Sequence, residues 1–330
     1  MLMAPTKLTA AVVGCGAISN VHINAIRLAD ALLVAVCDID PEKIKEKDSA
    51  YTDYIEMLDK AKPQVVHILT PHYLHAQMCI EALKRNIHVL VEKPPAMTKT
   101  QFTELKLAAE SSKAKLAVCF QNRLNAGVIE AQRILADGKL GKIKGALGLV
   151  SWDRDNAYYQ SGAWRGTMAQ EGGGVLINQA IHTLDLMTLL LGRPQSVSAH
   201  MANLCHQGVI EVEDSLNAVL NFTNGIRGTL FCTTCASVSR QVLLEVYTEA
   251  GTLSIYPDMA VLDGKAQFKS SDNTAGKKEW GSGHLALIRE FYSDIISGRP
   301  TRQGLMSTID TMDTMYAIYR SARTGEQTQV

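Results

Sequence analysis

Two short stretches carry side chains able to move a proton to or from a hydroxyl group. HVLVEKPPAMT, residues 88–98, places Lys93 at the end of an apolar run, where Pro94 and Pro95 stop the run and fix the backbone beside it. Strand alternation sends Glu92 and Lys93 to opposite sides, so the lysine is not neutralised by its neighbour. Partial burial of such an amine disfavours the ammonium and brings it into acid–base range. GGGVLINQAIHTLDL, residues 172–186, sets Asn178, His182 and Asp185 among Val, Leu, Ile and Ala. On a helix these three are one turn apart in succession and share a wedge of about 60°. Polar groups on a helix surrounded by protein cost free energy unless something meets them, either an internal partner or a substrate. Each residue alone has a plain reading: a strand-end lysine is usually a solvated charge, and a histidine on an apolar helix is usually a core residue.

The elements that must hold these groups fall into two sets. From Leu8 to about Phe120, short β-branched runs (AAVVG, LLVAVCD, VVHIL, HVLVEK, KLAVCF) alternate with helical segments near 22–29, 55–61, 74–85 and 101–111. Strands this apolar, alternating with helices, predict a doubly wound α/β domain with a parallel sheet. After Arg123 a helix over 127–137 leads through DGKLGKIKG into KGALGLVSWDR. The helix with the polar wedge follows, then SVSAHMANL, SLNAVLNFT, IRGTLFCTT, VLLEVYT and GTLSIY, with Asn-Gly at 224–225 as a hairpin turn. That pattern predicts an α+β domain with a mostly antiparallel sheet, closed by helices near 285–297 and 307–324. The boundary is set between residues 122 and 123.

VVGCGAIS places Gly14 and Gly16, then Ala17 and Ile18, between the first strand and first helix, where backbone N–H groups can meet a pyrophosphate. Ser19 stands where a third glycine is usual. Asp38 ends the next strand and can accept hydrogen bonds from ribose hydroxyls, and its charge would repel a 2′-phosphate. No Arg follows it before Lys43, so NAD is favoured over NADP. TPHYLH puts Thr70, Pro71 and His75 at another strand's carboxyl end, where open parallel sheets bind ligands. His72 and His75 either line the cofactor or lie in a surface loop. Glu92, Lys93 and Gln121 complete the set expected to face the cofactor.

WDRDNAYYQSGAWRG, residues 152–166, is expected to form a substrate wall. Tyr159 and Trp164 could stack on a sugar ring, and Arg154 and Arg165 could pair with phosphate or carboxylate, although the same residues also suit a subunit interface. Arg123 is expected to border this region, and His284 either joins it or starts a helix in solvent. With 33 basic and 33 acidic residues among 330, the formal net charge is zero, which argues against a nucleic-acid or membrane-surface partner. The uncharged stretch 8–26 holds two Gly, Ser, two Asn and His, a load unsuited to lipid, so a cytoplasmic protein is expected. Seven cysteines scattered through apolar runs read as reduced thiols, and Cys232 with Cys235 lacks a second CxxC, so no metal is expected.

GCGAIS, Asp38, TPHYLH, EKPP and GGGVLINQAIHTLD, in this order across nearly the whole chain, resemble the Gfo/Idh/MocA family, named for glucose-fructose oxidoreductase, inositol dehydrogenase and rhizopine catabolism. The resemblance implies a Rossmann domain followed by an open-faced antiparallel sheet that frequently mediates oligomers, here a homodimer or homotetramer. It implies nicotinamide-dependent oxidation or reduction of sugars, cyclitols or related polyols, with Lys93 and His182 as catalytic residues. Many members carry Asp where this chain has Asn178, and an amide cannot stabilise an imidazolium by charge. Similar NQ..H sequences occur in branches resembling nucleotide-sugar and amino-sugar 3-dehydrogenases. Catalysis is expected to need Lys93, His182 and Asn178 on one secondary alcohol, with Asp185 as a second carboxylate or a brace. An NAD-using glycosidase and a non-catalytic sensor are the alternatives.

Overall fold

The computed structural model describes residues 7–45, 49–223, 225–270 and 281–330. They form two compact units: the chain to Phe120 with His284–Ser307, and Gln121–Gly283 with Thr308–Val330.

In the first unit, β1 (Thr9–Val13), β2 (Leu32–Cys37), β3 (Ala50–Tyr51), β4 (Val65–Ile68), β5 (His88–Val91) and β6 (Leu116–Val118) form one sheet in the order β3-β2-β1-β4-β5-β6. Every pair is parallel. The crossovers are α1 (Ser19–Leu28), α2 (Tyr54–Ala61), α3 (His72–Lys84) and α4 (Lys99–Ser111). All of β4, including His67, and all but the first residue of β5 are buried, as near-continuous apolar runs require in a sheet covered on both faces. Asp53 caps α2 through the Glu56 amide, and Thr98 with Gln101 closes a capping box on α4. The strand order reverses between β1 and β4, which opens a crevice at their carboxyl ends. This is the doubly wound domain expected from the alternation. β3, only two residues long, is too short to leave a periodic signal.

In the second unit α5 (Ala126–Ala136) leads to β7 (Ile143–Ser151), α6 (Asn156–Gln160) and α7 (Ile181–Leu191). There follow β8 (Pro194–Ala202), β9 (Ser215–Phe222), β10 (Arg227–Thr233), β11 (Leu243–Thr248), β12 (Thr252–Ile255), β13 (Met259–Leu262) and β14 (Lys265–Lys269). The chain continues through α8 (Gly283–Ser297), which from His284 onward belongs with the first unit, and returns with α9 (Ile309–Thr324) and β15 (Thr328–Gln329). The nine strands run β14-β13-β12-β11-β7-β10-β9-β8-β15, antiparallel except for β7 with β10. Asn224 of the expected turn lies outside the described residues, but β9 and β10 pair antiparallel and Gly225 has φ +79°. Burial alternates along β9 and β10, so one face of the sheet is covered and the other open.

Two glycines set how closely α7 lies on the sheet. A Cβ on Gly148 of β7 would stand 2.9 Å from Met187 Sδ and Thr183 Cγ2, and one on Gly228 of β10 would stand 2.8 Å from Met187 Cε. Their missing side chains form the groove that seats Met187, and the helix carrying His182 rests there. No helix among the described residues is long and apolar enough to cross a membrane.

Candidate active site

The first unit builds a nucleotide crevice. Gly14 has φ +88°, and a Cβ there would lie 2.7 Å from the Leu69 carbonyl carbon, so only glycine fits the turn. A Cβ on Gly16 would meet nothing within 4 Å: this glycine faces open space. Ala17 is exposed beside it and Ile18 takes the N-cap position of α1. Ser19, in place of a third glycine, turns its hydroxyl back to donate to the Gly16 carbonyl at 2.7 Å. Asp38 is buried at the end of β2, accepting from the Cys15 amide at 2.7 Å and the Asp40 amide at 2.9 Å. A cavity of about 350 Å³ opens beside this turn, lined by Gly16, Ser19, Asn20 and Lys43 among others. Glycine turn, helix start and strand-end carboxylate together fit the pyrophosphate and ribose of a dinucleotide.

The next strand ends lead to Lys93. Thr70 and Pro71 enter α3, and His72 and His75 in its first turn are both buried rather than in a surface loop. His75 ties two segments together, with Nε2 2.7 Å from the Thr70 carbonyl and Nδ1 2.7 Å from the Pro94 carbonyl. Burial pushes its pKa down, against the pull of the two carbonyls. β5 stops at Val91, so alternation does not reach Glu92 and Lys93. The Glu92 carboxylate folds back to accept the Lys93 backbone amide at 3.3 Å. The Lys93–Pro94 peptide is cis, and Lys93 is partly exposed. His284 is not a solvated helix start: it is buried, with Nε2 3.9 Å from Glu92, and burial lowers its pKa to about 4.

The second unit holds the other group of side chains. Gly173 and Gly174 have no room for side chains, since a Cβ would stand 2.1 Å from the Tyr319 hydroxyl and 1.8 Å from the Glu213 carbonyl oxygen respectively. The Glu213 carboxylate accepts from the amides of Gly174 (2.9 Å) and Leu176 (3.1 Å) and from Tyr319 (2.9 Å), closing the helix start. Its pKa is raised by burial against the pull of those bonds. Residues Leu176–Ala180 form a π-helical turn before α7, so the α-helical spacing assumed between Asn178 and His182 does not hold there. Such turns concentrate at functional sites, and an apolar pattern does not encode them.

Asn178 donates its amide to the buried carboxylate of Glu171, which also accepts the Gly166 amide. Asp185, fully buried, pairs bidentately with Arg123 at 2.8 and 2.6 Å and accepts from Thr311 at 2.8 Å. The partners of Asn178 and Asp185 are thus internal, while His182 is partly exposed on α7. Gln121 is buried at the start of the short 3-10 turn that carries Arg123. Arg154 stacks over Trp152 and Tyr158, and Arg165 over Tyr158 and Trp164, at 4.5 to 5.0 Å. Arg165 also donates to the Tyr158 hydroxyl at 2.7 Å, and Tyr159 hydrogen-bonds Thr234 at 2.8 Å.

Sequence reading passed over Glu171, Glu213, His22 and His67. A signal existed for the first two, since Glu171 directly precedes the three glycines and Glu213 lies in an acidic EVED run between apolar residues. His67 sits singly in an apolar run, and His22 stands between Asn20 and Asn24.

Residues 8–120 match the family model "Oxidoreductase family, NAD-binding Rossmann fold", and residues 128–254 match "GFO/IDH/MocA C-terminal domain". The chain is 28% identical to D-glucoside 3-dehydrogenase of Escherichia coli (strain K12), covering 99% of both chains. It is 25% identical to inositol 2-dehydrogenase of Rhizobium meliloti (strain 1021), covering 73% of each. Among solved structures it resembles the WlbA dehydrogenase of Bordetella pertussis, in complex with NADH and UDP-GlcNAcA, with a TM-score of 0.86, 26% identity, and coverage of 98% of this chain and 99% of that one. A nucleotide crevice at a parallel sheet, two matching domain models and relatives along the whole length lead to one statement: the chain belongs to the Gfo/Idh/MocA family of NAD-binding oxidoreductases.

Proposed function

We propose that this enzyme oxidises a secondary alcohol of a sugar or cyclitol derivative with NAD, and that its substrate is an acidic or nucleotide-linked sugar. The observation that carries the substrate class is the pair of guanidinium groups, Arg154 and Arg165, stacked on the single ring of Tyr158 with Trp152 and Trp164 alongside. Two fixed cations suit a carboxylate or diphosphate, and the aromatic faces suit a sugar ring. The likeness to a dehydrogenase solved with UDP-GlcNAcA supports the same class.

In this reading Lys93 takes the hydroxyl proton, and His182 shares the hydrogen-bond network of the reacting alcohol. Asn178, oriented by Glu171, holds a neighbouring hydroxyl. Bound NAD supplies the hydride acceptor. Gly14, Gly16, Ala17, Ile18, Asp38, Thr70, Pro71, His75, Glu92 and Gln121 hold that cofactor, while Arg123 and Tyr159 brace the substrate side. We also read the open face of the nine-stranded sheet, where Val219 and Phe231 are exposed, as the contact of a cytoplasmic homodimer or homotetramer. A monomer by light scattering would contradict that part.

The test is a panel of neutral sugars, cyclitols, uronates and nucleotide sugars, followed by NADH absorbance. Turnover should be best with an anionic member, and Arg165→Ala should raise its KM about tenfold or more, consistent with loss of a charge-assisted hydrogen bond. A neutral cyclitol as best substrate, with KM unmoved in Arg165→Ala and Arg154→Ala, would refute the assignment.

A further inference from the structure

At the strand ends of the second unit two thiols meet that the proposed reaction does not use. The sulfur atoms of Cys205, exposed after β8, and Cys235, half-buried after β10, lie within 4.8 Å of each other and of the Asp214 carboxylate. Both are free thiols. A disulfide needs its sulfurs about 2.05 Å apart, so at most about 3 Å separates the pair from bonding distance, no more than a rotamer change spans. Backbone bonds hold the two cysteines on either side of Asp214. Its buried carboxylate accepts the amides of Leu204 at 2.9 Å, Cys205 at 2.8 Å and His206 at 3.2 Å, with His206 Nδ1 3.1 Å away, and its carbonyl accepts the Thr234 amide at 2.8 Å. Filled by these groups, the carboxylate anchors the loop and offers little to a metal ion. Cys235 is fixed by its amide, 3.0 Å from Thr233 Oγ1, and by the Ser215 hydroxyl, 3.7 Å from its sulfur. Cys232, its neighbour in the CxxC spacing, turns away to the Leu216 carbonyl at 3.7 Å.

We propose that Cys205 and Cys235 form a reversible disulfide that locks the backbone carrying Arg154. That backbone lies between them. The Arg154 carbonyl is 2.7 Å from Nε2 of His206, next to Cys205; its amide donates to the carbonyl of Thr234, next to Cys235, at 3.0 Å; and Asp153 pairs with Cys235 in a β-bridge. The oxidant is a small disulfide such as oxidised glutathione. Cys205 loses its proton to water, and its thiolate attacks one sulfur of the small disulfide, whose other half leaves as a thiolate and takes up a proton. Cys235 then loses its proton, attacks the Cys205 sulfur and expels the second half in the same way. Two hydrogens thus pass from the cysteine pair to the two halves of the small molecule. Burial and the Cys205 thiol push the Cys235 pKa up to about 12, which leaves the first attack to the exposed Cys205. Arg154 belongs to the substrate wall proposed above, so the effect of the bridge on binding rests on that reading, whereas the bridge itself is measured without substrate.

The experiment treats the purified enzyme with oxidised glutathione, blocks the remaining thiols with N-ethylmaleimide and maps the peptides by mass spectrometry. A Cys205–Cys235 cross-linked peptide should form in most molecules and disappear with dithiothreitol, and the amides of residues 152–154 should exchange hydrogen about tenfold more slowly in the oxidised protein. Cys235→Ser should stop at the mixed disulfide, with glutathione on Cys205 at least about tenfold above the wild-type level. Cys205→Ser should leave Cys235 reduced. Glutathione resting on Cys205 of the wild type without an internal bridge overturns the proposal. So does a stoichiometric zinc ion that both thiols are needed to bind, or a bridge that leaves exchange at 152–154 unchanged. Failure of the substrate reading looks different: KM for anionic sugars would be unmoved in Arg154→Ala, whatever the thiols do.

Discussion

Asn178 carries no charge, yet a carboxylate reaches it. Glu171 is buried and bonded to the Asn178 amide, so the negative group that an aspartate would supply directly stands one side chain further away. Glu171→Gln should lower kcat/KM about ten- to a hundredfold with the fold intact, since a hydrogen bond to a charged group is worth about 1.5–3 kcal/mol. Steady-state kinetics beside circular dichroism checks this; wild-type kcat/KM would show that the carboxylate does not act through Asn178. The buried Arg123–Asp185 pair plays a different part. Asp185→Asn should cost about 3–5 kcal/mol of stability by urea denaturation, because it leaves the guanidinium without its counter-charge. Residue types with motif spacing pointed to Lys93, His182 and Asn178. They did not reveal where each side chain turns: Glu171 meets Asn178 through a loop, and His22, His67 and Tyr292 meet only after β4, α1 and α8 are packed together.

Among the elements, the start of the His182 helix is the most constrained. Gly174→Ala would press a methyl group against the Glu213 carbonyl oxygen, and the backbone there cannot step aside without breaking the Val175–Glu213 bond of 3.0 Å. We expect a loss of about 1–3 kcal/mol or more, read as a lower urea midpoint. Gly16→Ala, facing open space, should leave stability near wild type and weaken NAD binding instead. Strand and helix periodicity made the parallel sheet and β7 to β12 of the second sheet legible in advance, because buried parallel strands and half-covered antiparallel strands differ in pattern; β13, β14 and β15 are not among the strands read. The two-residue β3 and the π turn at 176–180 left no such trace: one is shorter than a period, and the other differs from an α-helix only in which carbonyl each amide meets.

Across the whole molecule, buried neutral histidines set the response to acid. His67, His75 and His284 are all shifted downward by burial, His284 to about 4. An unfolded histidine titrates near 6.5, so between these values the unfolded chain binds more protons, and stability falls as pH drops. Glu92, held below its ordinary range, contributes stability above about pH 4.3 that is lost on further acidification. The urea midpoint should therefore decline from pH 7.5 to 5, and His284→Gln should flatten the decline; a slope identical to wild type would refute the assignment. The proposed chemistry turns on one amine, that of Lys93. Stopped-flow measurement of NADH formation by Lys93→Met, with the best substrate and saturating NAD, tests it most directly. The predicted result is a loss of at least about a thousandfold in the hydride-transfer rate with NADH affinity retained. Hydride transfer at the wild-type rate would contradict it.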